Sequence, residues 1–115
     1  MLCHTAIVVI TVTPVNDGPV AVDDMLMVNE DTTGVIIDVQ NNDMDPDGGV
    51  LTTTIVSGPT SGGTVTIING DSIDYAPGAN FTGNDTITYS ICDAGLPVLC
   101  DTAIVVITVL SLIHI

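Results

Sequence analysis

The sequence predicts an all-β fold, a seven-stranded Greek-key β-sandwich. Short runs of alternating apolar and polar residues recur along the 115-residue chain, and no stretch sustains the 3.6-residue period of a helix. Abundant Val, Ile and Thr favour strands. Gly, Pro, Asn and Asp separate seven short runs, a pattern typical of a sandwich. The predicted strands are residues 20–28, 35–39, 51–57, 64–68, 72–75, 85–92 and 102–109.

Two of the connections have clear turn chemistry. Asn69 and Gly70 form a pair that tolerates positive φ, so they predict a tight hairpin between the fourth and fifth strands. In SGPTSGG, residues 57–63, a proline and three glycines exclude regular pairing and predict a longer connection.

One strand sequence occurs twice. Residues 2–12, LCHTAIVVITV, and residues 99–109, LCDTAIVVITV, differ only where His4 stands against Asp101, and the copies are 97 residues apart. A fixed offset of this size is typical of domains in tandem. We therefore assign residues 1–12 to the last strand of a truncated preceding repeat and 20–109 to one complete sandwich. We assign residues 13–19, TPVNDGP, to a stiff interdomain linker. Residues 110–115 break the pattern of the repeat, and we assign them to a non-native tail.

The charge balance limits the possible partners. The chain has 14 acidic residues and no Lys or Arg, for a net charge of −14. Nucleic acid and anionic lipid are therefore excluded as partners, because both are bound through basic residues. The run TAIVVITV is far shorter than the roughly 20 apolar residues of a spanning helix, so direct membrane insertion is excluded too. Solvent cations or a bound metal must neutralise the carboxylates; the alternative is that the charge serves solubility alone.

The three cysteines fit the repeat. Cys92 ends one predicted strand and Cys100 begins the next. If the two strands are neighbours, a disulfide between them would stabilise the fold by about 2 to 3 kcal/mol; the alternative is a pair of reduced, buried thiols. Cys3 occupies the position of Cys100 in the leading copy, so its partner is expected upstream of residue 1.

The densest acidic stretch has the chemistry of a calcium site. Asp43, Asp45 and Asp47 alternate and Gly48 follows, which matches the opening of a calcium-binding loop. In a helix-loop-helix calcium site, a bidentate Glu would stand at the position of Thr54, which lies inside a predicted strand. The helix-loop-helix site is therefore excluded, and the acids indicate only a site with oxygen ligands. The alternative is a solvated turn, since Asp and Gly are good turn formers. Further oxygens come from Asn16, Asp17, Glu30 and Asp31.

A set of motifs in order resembles a known family. VNDGPVAVDD, NEDT, NNDMDPDGG, YAPGANFTGNDTITYSICD and CDTAIVVITV resemble the tandem cadherin-like, immunoglobulin-like repeats of large bacterial surface and secreted proteins. The resemblance implies an extracellular or cell-surface location, adjacent repeats of the same chain as partners, and an association with adhesion and Ca²⁺. By match to cadherin motifs, it assigns Asn16 and Asp17 to the linker part of a junction site, Asp45 and Asp47 to its D-x-D, and Glu30 to the next junction.

These observations favour a structural or adhesive repeat stiffened by calcium, with a cell-surface or glycan partner. The alternative is a carbohydrate- or ligand-binding module appended to a secreted enzyme. We expect no catalytic activity, because His4 lies in the leading strand and His114 in the tail. The three aromatic residues are expected in the core and not on a sugar-binding surface: Tyr75, Phe81 and Tyr89.

Overall fold

A computed structural model describes residues 1–111 and confirms the all-β prediction. Within those residues there are seven strands and no helix, so none that could span a membrane. The strands are β1 (Asp24–Asn29), β2 (Val35–Ile37), β3 (Thr52–Ser57), β4 (Thr64–Ile68), β5 (Ser72–Ala76), β6 (Gly83–Cys92) and β7 (Cys100–Leu110).

The strands form two sheets, as the sandwich prediction requires. One sheet has the order β1-β7-β6-β3 and the other the order β2-β5-β4. β1 runs parallel to β7, and every other pairing of named strands is antiparallel. The chain passes repeatedly from one sheet to the other, so strands distant in sequence face the same core.

The core lies between the sheets and is mainly aliphatic. Inward and outward residues alternate along β6 and β7, which is the period of two expected for strands with one buried face. Tyr75 and Tyr89 are fully buried, and Phe81 packs against the core, so the prediction for the aromatic residues is confirmed. The buried apolar residues are Val39, Ile73, Tyr75, Ile87, Tyr89, Ile91, Ala103, Val105, Ile107 and Val109.

The first strand begins later than predicted. Residues 20–23 were expected to belong to it, but β1 begins at Asp24, and Val20 forms only an isolated bridge with Met44. The backbone N–H groups of Ala21 and Val22 donate to carboxylates elsewhere in the chain instead of to a neighbouring strand. Tertiary contacts thus override the local preference of these residues for a strand.

The predicted hairpin and disulfide are both present. Asn69 and Gly70 have φ values of 56° and 75° and connect β4 to β5, as the turn chemistry predicts. Cys92 and Cys100 lie directly opposite each other in the β6–β7 ladder and form a disulfide. Cys3 is a free, exposed thiol.

Within residues 1–111, the leading copy of the repeated strand pairs with no other strand. Residues 1–15 are exposed and form no strand, whereas the second copy forms β7 between β1 and β6. The assignment of residues 1–12 to a preceding repeat stays a prediction. Of the predicted tail, Leu110 pairs with Asn29 as the last residue of β7, and residues 112–115 lie outside the described part of the chain.

Candidate functional site

The linker is held against one end of the sandwich by side chains of distant loops. The Nδ2 atom of Asn16 donates to Oδ2 of Asp93 at 2.9 Å and to the carbonyl oxygen of Pro97 at 2.8 Å. The backbone N–H of Asp17 donates to Oδ2 of Asp47 at 2.5 Å. We call this region, formed by residues 16–17, 43–47 and 93–97, the linker end.

The 43–47 loop keeps two of its carboxylates near the surface. Asp45 is half-buried, and its Oδ1 atom accepts the backbone N–H of Asp47 at 3.0 Å. The Asp47 side chain is exposed and faces the linker through its contact with Asp17. A carboxylate has about four lone-pair sites, so these hydrogen bonds leave oxygens able to bind a cation.

Asp43, the first acid of the loop, points inward instead. Its Oδ1 atom accepts the backbone N–H of Val22 at 2.7 Å, and the buried Tyr89 hydroxyl lies 3.1 Å from its Oδ2 atom. The same hydroxyl is 3.2 Å from Oδ2 of Asp24 and 2.9 Å from the Val22 carbonyl oxygen. Because Tyr89 has a single hydroxyl proton, it can satisfy only part of this oxygen cluster.

The environment shifts the carboxyl groups in opposite directions. Burial raises the pKa of Asp24 to about 6, and repulsion from Asp43 and Asp23 adds to the rise. Burial also raises the pKa of Asp43, against the hydrogen bonds from Val22 and Tyr89. In contrast, the N–H of Leu99, with help from the side chain of Asn16 and the N–H of Gly95, lowers the pKa of Asp93. The linker is therefore anchored on a carboxylate that stays ionised.

The raised pKa of Asp24 predicts a pH dependence of stability. Because its pKa is above the unfolded value of 3.8, the folded state binds this proton more tightly, and that stabilisation is lost as pH rises from about 4 to 6. We expect Asp24→Asn to flatten the fall in thermal unfolding midpoint over this range. The matched control is Asp71→Asn, which removes an exposed charge from the β4–β5 turn. Equal slopes in wild type and Asp24→Asn would contradict the prediction.

Glu30 lies at the opposite end of the first sheet. It directly follows β1, and its backbone N–H donates to the carbonyl oxygen of Leu110 at 2.8 Å. β1 places Glu30 more than about 16 Å along the strand from the cluster around Asp24. One ion therefore cannot bind Glu30 together with Asp45 and Asp47, and its assignment to the next junction stays a prediction.

The donor chemistry at the linker end suits calcium, but the donor number is too small. Carboxylate and amide oxygens are the hard ligands that Ca²⁺ takes, in sets of roughly 6 to 8. Among residues 1–111, no group of three or more His, Cys, Asp or Glu side chains is placed to hold a metal ion. A complete shell would need oxygens from outside this sandwich.

Two acids that hold the linker and the residues just after it were missed by the sequence analysis. Asp93 contacts Asn16 from 77 residues away, and Asp101 accepts the N–H of Ala21 at 2.9 Å from 80 residues away. Neither belongs to an acidic cluster in the sequence. The one available signal was that Asp101 is the single position at which the two copies of the repeated strand differ.

A shallow groove of about 550 Å³ lies apart from the linker end. It is open and lined by hydroxyls, small side chains and two carboxylates, with no aromatic ring among its lining residues. They are Asp31, Thr32, Thr33, Gly34, Thr64, Thr66, Asp74, Ala76, Pro77 and Ala79.

Comparison with known proteins identifies the family. Residues 16–108 match the bacterial Ig domain family over most of the chain. The chain belongs to that family. No curated protein sequence matches this bacterial Ig domain.

Solved structures with the same fold come from varied proteins. A nucleoside hydrolase-related hypothetical protein from Saccharophagus degradans, associated with carbohydrate metabolism, is 27% identical, with a TM-score of 0.60 over 83% of this chain and 26% of that one. An endo-fucoidan hydrolase of glycoside hydrolase family 107 is 22% identical, with a TM-score of 0.58 over 88% of this chain and 15% of the enzyme. The bacterial Ig domain thus spans about a quarter or less of these two proteins.

A human mucin-like protocadherin fragment is also similar, with 22% identity and a TM-score of 0.59 over 85% of this chain and 56% of the fragment. At this identity, the likeness shows the fold. Together with the family match, it confirms the predicted resemblance to cadherin-like, immunoglobulin-like repeats.

Proposed function

We propose that this bacterial Ig domain is a structural repeat of a large extracellular or cell-surface protein, joined to the repeat before it by a linker that calcium stiffens. The observation that carries the proposal is the docking of Asn16 and Asp17 onto two different loops of the sandwich. Two contacts on a short linker fix its direction, whereas a flexible tether would need neither. The repeated strand on the other side of the linker supports a repeat in that position.

Each linker contact has its own role. The bond from Asn16 to Asp93 uses a carboxylate held by backbone N–H groups, so it anchors the linker without metal. Asp17, Asp45 and Asp47 bring three negative charges into one small region, with no Lys or Arg in the chain to offset them. Calcium bound among these oxygens would neutralise that repulsion.

The disulfide, the position of His4 and the net charge support the proposed extracellular location and non-catalytic role. A disulfide persists in oxidising surroundings, which favours a secreted or surface protein. His4 is exposed in the leading segment, outside the sandwich strands. The net charge of −14 continues to disfavour nucleic acid and anionic membranes. The partners that remain are adjacent repeats and an uncharged or cationic surface ligand.

The test is thermal unfolding of a chain extended to two complete repeats. We expect the unfolding midpoint to be higher in calcium than in chelator, with a gain of about 2.7 kcal/mol when calcium is at 100 times its Kd. Asp45→Asn with Asp47→Asn should remove the gain and leave the sandwich folded. Asp31→Asn with Asp74→Asn is the control, because it removes the same charge from the groove, which shares no residue with the linker end.

Sodium chloride of equal ionic strength separates binding from screening. If the unfolding midpoint rose equally in sodium and in calcium, the calcium part of the proposal would be wrong. The domain would then be an acidic spacer whose aspartates only form turns.

The second candidate is a ligand-binding module of a secreted carbohydrate-active protein. Two of the similar structures come from proteins described by carbohydrate metabolism or fucoidan hydrolysis, and the groove offers hydroxyls and carboxylates. Charge repulsion disfavours anionic polysaccharides, so the test uses neutral ones in affinity electrophoresis. Retardation of the wild type that is lost in Thr64→Ala with Thr66→Ala would support this function, and equal mobility with and without polysaccharide would exclude it.

A further inference from the structure

The acids in the strands of the four-stranded sheet all point toward the inside of the sandwich. Asp24 and Asp85 contact the hydroxyls of buried tyrosines, and Asp101 accepts a backbone N–H from the segment before β1. Asp23 precedes β1, and its Oδ1 atom accepts the backbone N–H of Ile104 at 3.0 Å. Because the N–H groups of a strand point within the plane of its sheet, this bond holds the Asp23 carboxylate at the edge of the sheet and not over its outer side.

The outward side chains of the same sheet are hydroxyl, amide or apolar. Met25 and Met27 of β1 are 81% and 71% exposed. Met25 lies opposite Val106 of β7, which lies opposite Thr86 of β6, so apolar and hydroxyl side chains are neighbours across the strands. We call the outward side of this sheet the neutral face. Its centre and its β1 border are formed by Met25, Met27, Thr86, Thr88, Ile104 and Val106.

The other acids of the chain lie in the linker, the loops and the second sheet. Asp17 and Asp47 are at the linker end, Glu30 and Asp31 follow β1, and Asp74 of β5 lines the groove. The chain has no Lys or Arg to offset them. Two copies that met through any of these surfaces would therefore bring carboxylates together, and like charges repel. The neutral face lets two copies meet without that repulsion at the contact.

We propose that two copies of this chain associate by packing their neutral faces against each other. Two sheets packed face to face lie about 10 Å apart, with their strands within about 30° of each other. Because both copies use the same face, the contact closes as a pair. It removes the exposed side chains of Met25 and Met27 from water. The contact uses no carboxylate, so it requires no calcium, and it goes beyond the function proposed above.

The size of the neutral face predicts a weak, reversible contact. Its strands have 6, 11, 10 and 6 residues, and at about 3.3 Å per residue and about 4.8 Å between strands they cover about 500 Å². A pair would bury about 1,000 Å² in total, which is at the lower limit for a specific interface. We therefore expect association to depend on protein concentration.

The repeated strand extends the contact to an array. The outward residues of β7 recur unchanged in the leading copy, as Thr5, Ile7, Val9 and Thr11. If the function proposed above is correct, successive repeats of one protein present these side chains at regular intervals. Weak contacts between two such arrays would then add, because each contact raises the effective concentration of the next.

The charge of the chain sets the conditions for association. Each copy has a net charge of −14, and repulsion between the two copies opposes pairing. Sodium chloride screens this repulsion, since the Debye length falls from about 30 Å at 0.01 M to about 8 Å at 0.15 M. We therefore expect association to strengthen as sodium chloride is raised in the presence of chelator. A contact through ion pairs would weaken under the same change.

The test is sedimentation velocity of the full chain in chelator, at increasing protein and sodium chloride concentration. NMR of ¹³C-labelled methionine methyl groups locates the contact. Met25 and Met27 lie on the neutral face, Met44 at the linker end and Met1 in the leading segment. We expect the average mass to rise from that of one chain toward that of two, and the signals of Met25 and Met27 alone to shift with concentration.

A single added charge tests the neutral face directly. Thr88→Asp places a carboxylate at its centre in both copies and should raise the Kd of the pair about tenfold or more, because like charges then meet in the interface. Met25→Asp makes the same change at an exposed side chain of the outermost strand, and it replaces Thr88→Asp if that variant does not fold. Thr64→Asp is the matched control, because it adds the same charge to β4 of the other sheet, opposite Ala76, and should leave the Kd unchanged.

Four results would overturn the proposal. One is the mass of a single chain at every protein and salt concentration. A second is association that weakens with sodium chloride or appears only with calcium, which would place the contact at carboxylates. A third is association that Thr88→Asp, Met25→Asp and Thr64→Asp leave equally strong, or that shifts Met1 or Met44 instead of Met25 and Met27. The fourth is a single chain whose Met25 and Met27 signals shift only when a neutral polysaccharide is added, which would assign the face to that ligand.

None of these measurements decides the calcium proposal. That proposal is tested by the unfolding midpoint of two complete repeats, whereas pairing is tested on the single sandwich in chelator.

Discussion

Replacing Asp85 with alanine is expected to lower the free energy of unfolding by about 3 kcal/mol, since the buried Tyr75 hydroxyl and the part-buried Ser61 N–H lose their acceptor. Asp85 is fully buried. Its Oδ2 atom accepts the Tyr75 hydroxyl at 2.7 Å, and its Oδ1 atom accepts the backbone N–H of Ser61 at 2.8 Å. The carboxylate thus joins β5, β6 and the connection before β4. Each unsatisfied buried donor costs about 1 to 3 kcal/mol.

Urea denaturation measures the effect, and Tyr75→Phe completes a double-mutant cycle. Tyr75→Phe removes the hydroxyl that donates to Asp85, so adding Asp85→Ala to it leaves no unsatisfied hydroxyl at position 75. The double variant should therefore lose less stability than the sum of the losses of the two single variants. A loss within about 0.5 kcal/mol for Asp85→Ala would equal that of an ordinary surface substitution and would refute the role of this network.

Gly58→Ala is expected to destabilise the sandwich by about 2 kcal/mol more than Gly62→Ala, because overpacking against fixed backbone adds to the cost of a left-handed φ. The two glycines have φ values of 92° and 90°, so the backbone penalty is matched. A Cβ at position 58 would overlap the Thr86 carbonyl oxygen and lie 3.1 Å from Cα of Ile87. A Cβ at position 62 would meet nothing within 4 Å.

The measurement is the difference between the two variants in denaturant midpoint at constant m-value. Comparing them removes the φ contribution and leaves the close approach of the 57–63 connection to β6. If Gly58→Ala and Gly62→Ala were equally stable, β6 would have room to move, and the crowding inferred from the structure would be wrong.

Local pattern was sufficient for most of the fold. The hairpin at Asn69 and Gly70 and the pairing of Cys92 with Cys100 depend on residues close in sequence, and both were predicted. The start of β1 was not predicted correctly. The N–H groups of Ala21 and Val22 bind carboxylates 80 and 21 residues away, and no local propensity contains that information.

The candidate site was predicted less completely, for the same reason. Spacing grouped Asp43 with Asp45 and Asp47, yet the side chain of Asp43 accepts a hydrogen bond from Tyr89, 46 residues away, which the local spacing does not reveal. Asp93 escaped notice because its contact with Asn16 spans 77 residues. The role of the remaining acids as calcium ligands stays a prediction, since their oxygens do not form a closed shell within residues 1–111.

The parallel pairing of β1 with β7 has a mechanical consequence. In the array proposed above, tension would enter the domain at the start of β1 and leave at the end of β7, so it would pull these neighbouring strands in opposite directions along their length. The ladder from Asp24–Val105 to Asn29–Leu110 is then loaded in shear, and its hydrogen bonds share the force instead of opening one after another. In such an array, the strands that carry the chain into and out of the domain would also form its force-bearing clamp.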